Sequence, residues 1–228
     1  DFYLERFESN VVANGGQVHW CRNSEEARQT IMEICRSVDA KTVTKGKSMV
    51  AEEIGLNAYL EEHGVEPIET DLGEYIIQLR NEPPSHIIAP AIHVNKEQVV
   101  EAFRKKHTDL PPDRPLEEVG DITDEARTQL RPKFFAADVG ITGANFLIAE
   151  TGQTVIVTNE GNGDLTQTLG KAHVVVASLE KIVPTLEDAS CILRLLARSA
   201  TGQEFSVYTT FSSGPRRKTD LEGPASFH

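Results

Sequence analysis

Two polar, glycine-containing segments carry the residues that could bind or transform a ligand. The first is Gly46-Lys47-Ser48, which follows the β-prone run 42–44 and precedes a predicted helix over residues 49–62. A strand, a glycine turn and a helix N-terminus together form an anion-binding arrangement, to which Lys47 would add a positive charge. A P-loop is excluded because Lys41 stands where its first glycine is required. The alternative is an ordinary glycine turn in which Ser48 caps the helix.

The second segment follows an apolar run over residues 154–158 and consists of Asn159, Glu160, Gly161, Asn162, Gly163 and Asp164. These residue types place polar groups on a backbone that bends freely, which favours a ligand-binding loop. A carboxylate such as Glu160 on a flexible loop can also act as a nucleophile and form a covalent acyl intermediate. The alternative is a polar turn in which asparagine and glycine accept left-handed backbone.

Glu150 and Thr151 form a third candidate, at the turn between the apolar runs 144–149 and 154–158. A four-residue turn between two such runs predicts an antiparallel hairpin, and its tip would place both side chains within reach of a ligand. The alternative is a solvated turn. The preceding glycines, Gly140 and Gly143, do not make the glycine pattern of a nicotinamide-binding turn.

The elements that must position these segments follow an alternating pattern. Four strand–helix units precede residue 140, with strands predicted over 17–21, 42–44, 65–69 and 86–89. This alternation predicts an α/β fold with a mostly parallel sheet and helices on both faces. The hairpin follows, and then come a strand over 173–177, a helix from Pro184 to Ser199 and a half-exposed strand over 205–211. The tail from Ser212 is expected to be loosely held.

Composition and charge restrict the class of protein. The chain has 228 residues, 39% hydrophobic and 25% charged, as in an ordinary globular domain. A net charge of −12 argues against a nucleic-acid scaffold and against a polybasic membrane patch. Without a run of eighteen apolar residues, no membrane-spanning helix is expected.

Cysteines and histidines do not predict a metal site in this chain. The three cysteines, Cys21, Cys35 and Cys191, lack CxxC spacing and cannot supply a four-cysteine iron–sulfur ligand set. We expect reduced thiols in a cytoplasmic protein, with Cys35 and Cys191 on buried helical faces. The histidines also lack metal-ligand spacing, although His93 follows a predicted strand end and is a weak additional ligand-binding candidate.

Three stretches resemble a known family. They are VTKGKSMVAEEIGLN from Val43, ETDLGEYIIQL from Glu69, and GITGANFLIAETGQTVIVTNEGNGDL from Gly140, followed by EKIVPTLEDASCILRLLARSATGQ from Glu180. Together they resemble the LUD-domain family of lactate-utilisation proteins, and within it the B type. The resemblance implies the fold shared by ribose-5-phosphate isomerase, glucosamine-phosphate deaminase and the CoA-transferases. It also implies a subunit of an electron-transfer complex that oxidises L-lactate to pyruvate with A-type and C-type partners.

The resemblance further implies how the chain is organised. Residues 1–40 would be a lead-in packed on the LUD domain, residues 41–212 the domain itself, and 213–228 a tail entering a ferredoxin-like segment. That segment would carry two [4Fe-4S] clusters, so we expect no cofactor within the present residues. The LUD domain would supply a small-anion pocket, a docking surface, or both. The alternative is a ligand-binding or acyl/CoA-transferase-like enzyme domain.

Overall fold

A parallel five-stranded sheet organises the chain. The computed structural model describes residues 1–86, 89–204 and 206–228. In these ranges the sheet has the strand order β2-β1-β3-β6-β9, and all its neighbours pair in parallel. Its strands are β1 (Thr42–Gly46), β2 (Glu66–Glu69), β3 (Val139–Thr142), β6 (Ala172–Val175) and β9 (Ser226–Phe227). Pro67 fits β2 because this strand lies at the edge of the sheet, where a missing N–H is tolerated.

A smaller mixed sheet packs beside the first. Its order is β7-β4-β5-β8, with β4 antiparallel to β5 and β5 antiparallel to β8. The strands are β4 (Phe146–Ile148), β5 (Gln153–Thr158), β7 (Ile182–Val183) and β8 (Tyr208–Ser212). The antiparallel hairpin predicted near residues 144–158 is therefore confirmed.

Helices cover both faces of the parallel sheet. The helices are α1 (Phe2–Ala13), α2 (Ser24–Ser37), α3 (Met49–Glu53), α4 (Leu56–Glu62), α5 (Leu72–Arg80), α6 (Lys96–Lys106), α7 (Val119–Ala136), α8 (Asn162–Leu169) and α9 (Leu186–Thr201). One buried cluster joins α2, α3 and α4 to β1, β3 and β6, and a second joins α5, α6 and α7 to Ile68 of β2. The predicted α/β class with helices on both faces is confirmed.

Several local predictions are wrong near element ends. The stretch 17–21 forms no strand, and α9 begins after Thr185, which caps it, rather than at Pro184. The helix predicted over 49–62 is divided at Gly55, whose φ of 64° ends α3 and starts α4. The predicted strands over 86–89 and 205–211 include Ile87, Ile88 and Phe205, which lie outside the described residues.

Two further predictions, one for Cys191 and one for the tail from Ser212, are also wrong. Cys191 is exposed on α9, because the outward part of this helix has no packing partner among the described residues. The tail is not loosely held throughout, because Ser226–Phe227 returns to pair with β6 and Phe227 is buried there. Of the described helices, none is long and apolar enough to cross a membrane.

Candidate functional site

Lys47 occupies a strained turn at the carboxyl end of β1. Its φ is 47°, a left-handed backbone conformation that costs free energy in a residue with a side chain. The turn lies against Gly143, just beyond β3, where an added Cβ would be 2.6 Å from the Lys47 carbonyl oxygen. Glycine at position 143 therefore allows the β1 turn and the β3 end to approach each other closely.

Three charged side chains meet at this end of the sheet. The Lys47 Nζ atom lies 3.0 Å from a carboxylate oxygen of Asp71, which also caps α5 by accepting a hydrogen bond from Gly73. Glu160 is exposed, yet partial desolvation raises the pKa of its carboxyl, as does the nearby Asp71 charge, while Lys47 opposes that rise. Glu160 thus shares the electrostatic environment of Lys47 and Asp71, although it lies far from them in sequence.

The side-chain amide of Asn162, two residues after Glu160, is the next candidate ligand-binding group. It begins α8, directly after Glu160 and Gly161, and is only 7% exposed. Neither its Nδ2 nor its Oδ1 atom has a hydrogen-bond partner among the described residues. A buried amide normally has partners, so this one fits a site where a ligand supplies them. The N-terminus of α8 adds backbone N–H groups and the positive end of the helix dipole.

The turn before α8 is fixed by local contacts. The Thr158 hydroxyl donates a 2.8 Å hydrogen bond to the carbonyl of Glu160. An added Cβ at Gly163 would lie 2.8 Å from the Thr158 Cγ2 atom. Asn159 is exposed beside this turn. The predicted loop is therefore a rigid strand-to-helix turn that presents Glu160 and Asn162.

Ser48 and Gly46 have structural roles in the first segment. The Ser48 hydroxyl is buried and accepts a hydrogen bond from the Ala51 N–H, which is the helix-capping alternative. Gly46 packs beneath the hydroxyls of Thr70 and Thr166, with Thr70 3.2 Å from where a Cβ would lie. Of this segment, Lys47 has the side chain whose charge affects Glu160.

Glu150 and Thr151 lie apart from this group. They belong to the turn before β5, whereas Glu160 follows the other end of that strand, on the order of 15–20 Å away at the usual rise per residue. The Glu150 carboxylate accepts a hydrogen bond from the Leu186 N–H, and Asn14 donates to the Thr151 carbonyl. These contacts attach α1 and α9 to the hairpin.

A buried charge cluster behind the turn was not expected from the sequence. Lys45 of β1 is 1% exposed and pairs with Glu69 at 2.8 Å and with Glu52. Burial opposes its charge, but the two carboxylates outweigh burial and raise the Lys45 pKa. Burial and the neighbouring Glu69 raise the pKa of Glu74 to about 9. The β1 sequence, with Thr44 and Gly46 on either side of Lys45, gives no local signal that this side chain is enclosed.

A second buried network fixes the proline-rich connection before α7. The Tyr75 hydroxyl and His107 Nε2 are 2.8 Å apart, and His107 Nδ1 lies 2.7 Å from Glu125. Arg114 donates two hydrogen bonds to the same Glu125 carboxylate. Because Arg114 belongs to the connection and Glu125 to α7, the network holds an otherwise irregular segment in one conformation.

The cysteines do not fit an iron–sulfur cluster. Burial in the apolar core raises the pKa of Cys35 to about 11, which disfavours the thiolate that a metal requires. Cys21 and Cys191 are exposed. Across 1–86, 89–204 and 206–228, no group of three or more acidic, histidine or cysteine side chains could hold a metal ion.

The open parallel sheet, with polar groups gathered beyond the carboxyl ends of its strands, defines an α/β domain. Within that class the chain belongs to the LUD domain family, whose sequence model matches residues 4–228. It is 48% identical to lactate utilization protein B of Shouchella clausii and 44% identical to lactate utilization protein B of Bacillus subtilis. Each match covers the whole chain and 47% of the relative, so the chain spans about half the length of these curated relatives.

A solved structure is also similar in outline. The crystal structure of a DUF162 family protein from Deinococcus radiodurans matches 99% of this chain, and the match covers 93% of that protein. The two chains are 15% identical, and the TM-score is 0.48.

Proposed function

We propose that this chain is the LUD domain of a cytoplasmic lactate-utilisation protein and that it binds a small anion while its complex oxidises L-lactate to pyruvate. Full-length relatives named lactate utilization protein B support the process. The observation that carries the binding role is the buried, unpartnered amide of Asn162, two residues after Glu160, whose carboxyl is affected by the Lys47 charge. [4Fe-4S] clusters would lie in the further segment implied by the resemblance, and electrons would pass through that segment.

The donors and acceptors of the site fit a 2-hydroxy acid. Asn162 Nδ2 and the first N–H groups of α8 can donate to a carboxylate, and Asn162 Oδ1 can accept from a hydroxyl. Lys47 can add charge when a ligand carboxylate competes with Asp71 for its ammonium. Glu160, two residues before Asn162, can exchange a proton with the ligand, and its raised pKa favours that role. L-lactate has both the carboxylate and the hydroxyl that this set requires.

The acyl-transfer alternative depends on Glu160 as an ionised nucleophile. Burial and the Asp71 charge raise its pKa, which makes the ionised nucleophile less favoured than in an ordinary glutamate. Incubation with acyl-CoA compounds, followed by mass spectrometry of the intact protein, tests this alternative. A covalent acyl adduct on Glu160 would establish it and displace the binding role.

Docking of the A-type and C-type partners is the second part of the proposal. Exposed apolar side chains on α9 and next to β8 support it, with Leu195 66% and Val207 61% exposed. On α9, Ile192 lies one turn from Leu195 and is also exposed, and a contiguous exposed apolar surface commonly marks a protein-interaction site. Co-purification of full-length protein with both partners should be lost in Leu195→Glu and retained in Glu187→Gln, which changes an exposed charge on the same helix.

Growth on lactate tests the function in the cell. Deleting the gene should abolish growth on L-lactate and leave growth on pyruvate intact, because the proposed function is in the oxidation of L-lactate to pyruvate. Full-length protein should restore growth, and Asn162→Ala should restore it poorly. Normal growth of the deletion strain on L-lactate as sole carbon source would contradict the proposal.

A further inference from the structure

A cavity lies between α3, α4 and α5, and neither Lys47 nor Asn162 lines it. Its volume is about 630 Å³. Six carboxyl side chains line it: Glu52, Glu53, Glu61, Glu69, Glu74 and Glu82. Its wall also includes apolar groups, among them Ile77 and Pro83, so it can take a small molecule with both a polar and an apolar part.

Three buried oxygen acceptors in this wall lack donors. They are Glu69 Oε2, Glu74 Oε2 and Asn57 Oδ1, each without a hydrogen-bond partner among the described residues. The Glu69 side chain is only 4% exposed, so water does not solvate it freely. Asn57 donates from Nδ2 to Glu69 Oε1 at 2.6 Å, which fixes the amide so that Oδ1 points elsewhere.

The Lys45 ammonium does not donate a hydrogen bond to any of these three oxygens. Lys45 contacts the other Glu69 oxygen, Oε1, and its second partner is Glu52. A proton shared between the Glu69 and Glu74 carboxyls would satisfy those two groups, and their mutual repulsion favours such sharing. It would leave Asn57 Oδ1 without a donor. A ligand that donates three hydrogen bonds and carries positive charge would satisfy all three oxygens.

We propose that this cavity binds a small primary amine, whose ammonium group donates one hydrogen bond each to Glu69, Glu74 and Asn57. A primary ammonium has three N–H donors, which matches the three open acceptors. The surrounding carboxylates outnumber the Lys45 charge and favour a cation over an anion. Ile77 and Pro83 would contact the carbon chain of the amine. A divalent metal is less favoured, because no described group of side chains has a metal-holding arrangement.

Calorimetric titration with n-butylammonium chloride and tetramethylammonium chloride at equal ionic strength tests the proposal. Tetramethylammonium has the same charge and no N–H donors. The unmodified protein should bind n-butylammonium about tenfold or more tightly than tetramethylammonium, since charged hydrogen bonds distinguish the two. Equal affinity, or binding of neither compound, would overturn the proposal, and so would tighter binding of magnesium chloride.

Two glutamine variants locate the site. Glu74→Gln keeps the side-chain shape but has no proton that a bound ammonium can displace to gain a carboxylate acceptor, so n-butylammonium affinity should fall about tenfold or more. Glu61→Gln removes an exposed charge on the same cavity rim and should change affinity by no more than about twofold. Equal losses in both variants would show nonspecific attraction to an acidic surface and would contradict the assigned contacts. The comparison of the two ammonium compounds remains decisive if Glu74→Gln folds poorly.

Discussion

The Lys47 ammonium lies 3.0 Å from a carboxylate oxygen of Asp71, the residue that also caps α5. The Lys47 ammonium is therefore already paired with a carboxylate before any ligand binds. A ligand carboxylate must compete with Asp71, and the nearby Glu160 carboxyl responds to both charges. In the proposed site, this ion pair would limit the affinity for an anion, and its two charges act in opposite directions on the pKa of Glu160.

Asp71→Asn should strengthen anion binding. Asparagine still caps the helix, but it no longer neutralises Lys47. L-lactate affinity should rise roughly threefold or more, and the Glu160 pKa should fall because a repelling charge is gone. Carbon-13 NMR of the labelled carboxyl gives the pKa, and calorimetry gives the affinity. Asp124→Asn removes an exposed charge elsewhere and is the control, so equal effects in both variants would contradict the local role of Asp71.

Gly143→Ala should disrupt the Lys47 turn. The new Cβ would meet the Lys47 carbonyl oxygen at 2.6 Å, and this contact is to backbone that cannot rotate away. The free energy of unfolding should fall by about 1–3 kcal/mol. Urea unfolding measures the change. Gly120→Ala is the control, since its Cβ meets nothing within 4 Å and its stability should be unchanged or slightly higher. Equal stability of both variants would refute the close contact.

Glu74 should make stability fall as pH rises. Its pKa is raised from the ordinary 4.5 to about 9 in the folded protein. Between these values the folded protein keeps a proton that the unfolded chain loses, so the free energy of unfolding decreases across that window. Glu74→Gln lacks this titration and should gain at least about 1 kcal/mol relative to the unmodified protein between about pH 5 and pH 8. If the free energy of unfolding changed with pH in the same way for both proteins, the raised Glu74 pKa would be ruled out. Glu61→Gln is the matched control.

Arg114→Met should release the connection before α7. It leaves the buried Glu125 carboxylate without its paired charge, at a cost of about 3 kcal/mol. Limited proteolysis should then cleave within residues 108–118 faster than in the unmodified protein. Arg127→Met removes an exposed pair with Asp124 on the same helix and should have little effect. Unchanged proteolysis in Arg114→Met would show that other contacts hold the segment.

Local signals were sufficient for much of the fold. The β-prone run at β1, the Ser48 cap and the turn between β4 and β5 each depend on neighbours in sequence, and the structure contains all three. The alternation of strands and helices likewise led to the parallel sheet. By contrast, Gly55 interrupts a helical pattern through its left-handed backbone, a choice that sequence periodicity does not reveal.

The remaining features depend on long-range pairing. Lys45 follows a strand pattern in which a lysine is normally solvated, and its burial requires Glu69 from another strand. Asn162 and Lys47 are more than a hundred positions apart and follow strands of different sheets, so they are related only through the packing of α8 on β1. Cys191 lies on an apolar helix that the described residues leave partly uncovered. Sequence alone indicated the chemistry of these residues but not their partners.

Titration of nitrogen-labelled protein with L-lactate tests the proposed site most directly. The side-chain amide of Asn162 is buried without a partner and should report a bound ligand by its own NMR signal. We expect this signal and the α8 N-terminal amides to shift saturably, with about tenfold weaker affinity in Lys47→Met. An unchanged Asn162 signal at saturating L-lactate, or the same shift in Lys47→Met, would contradict anion binding at this turn.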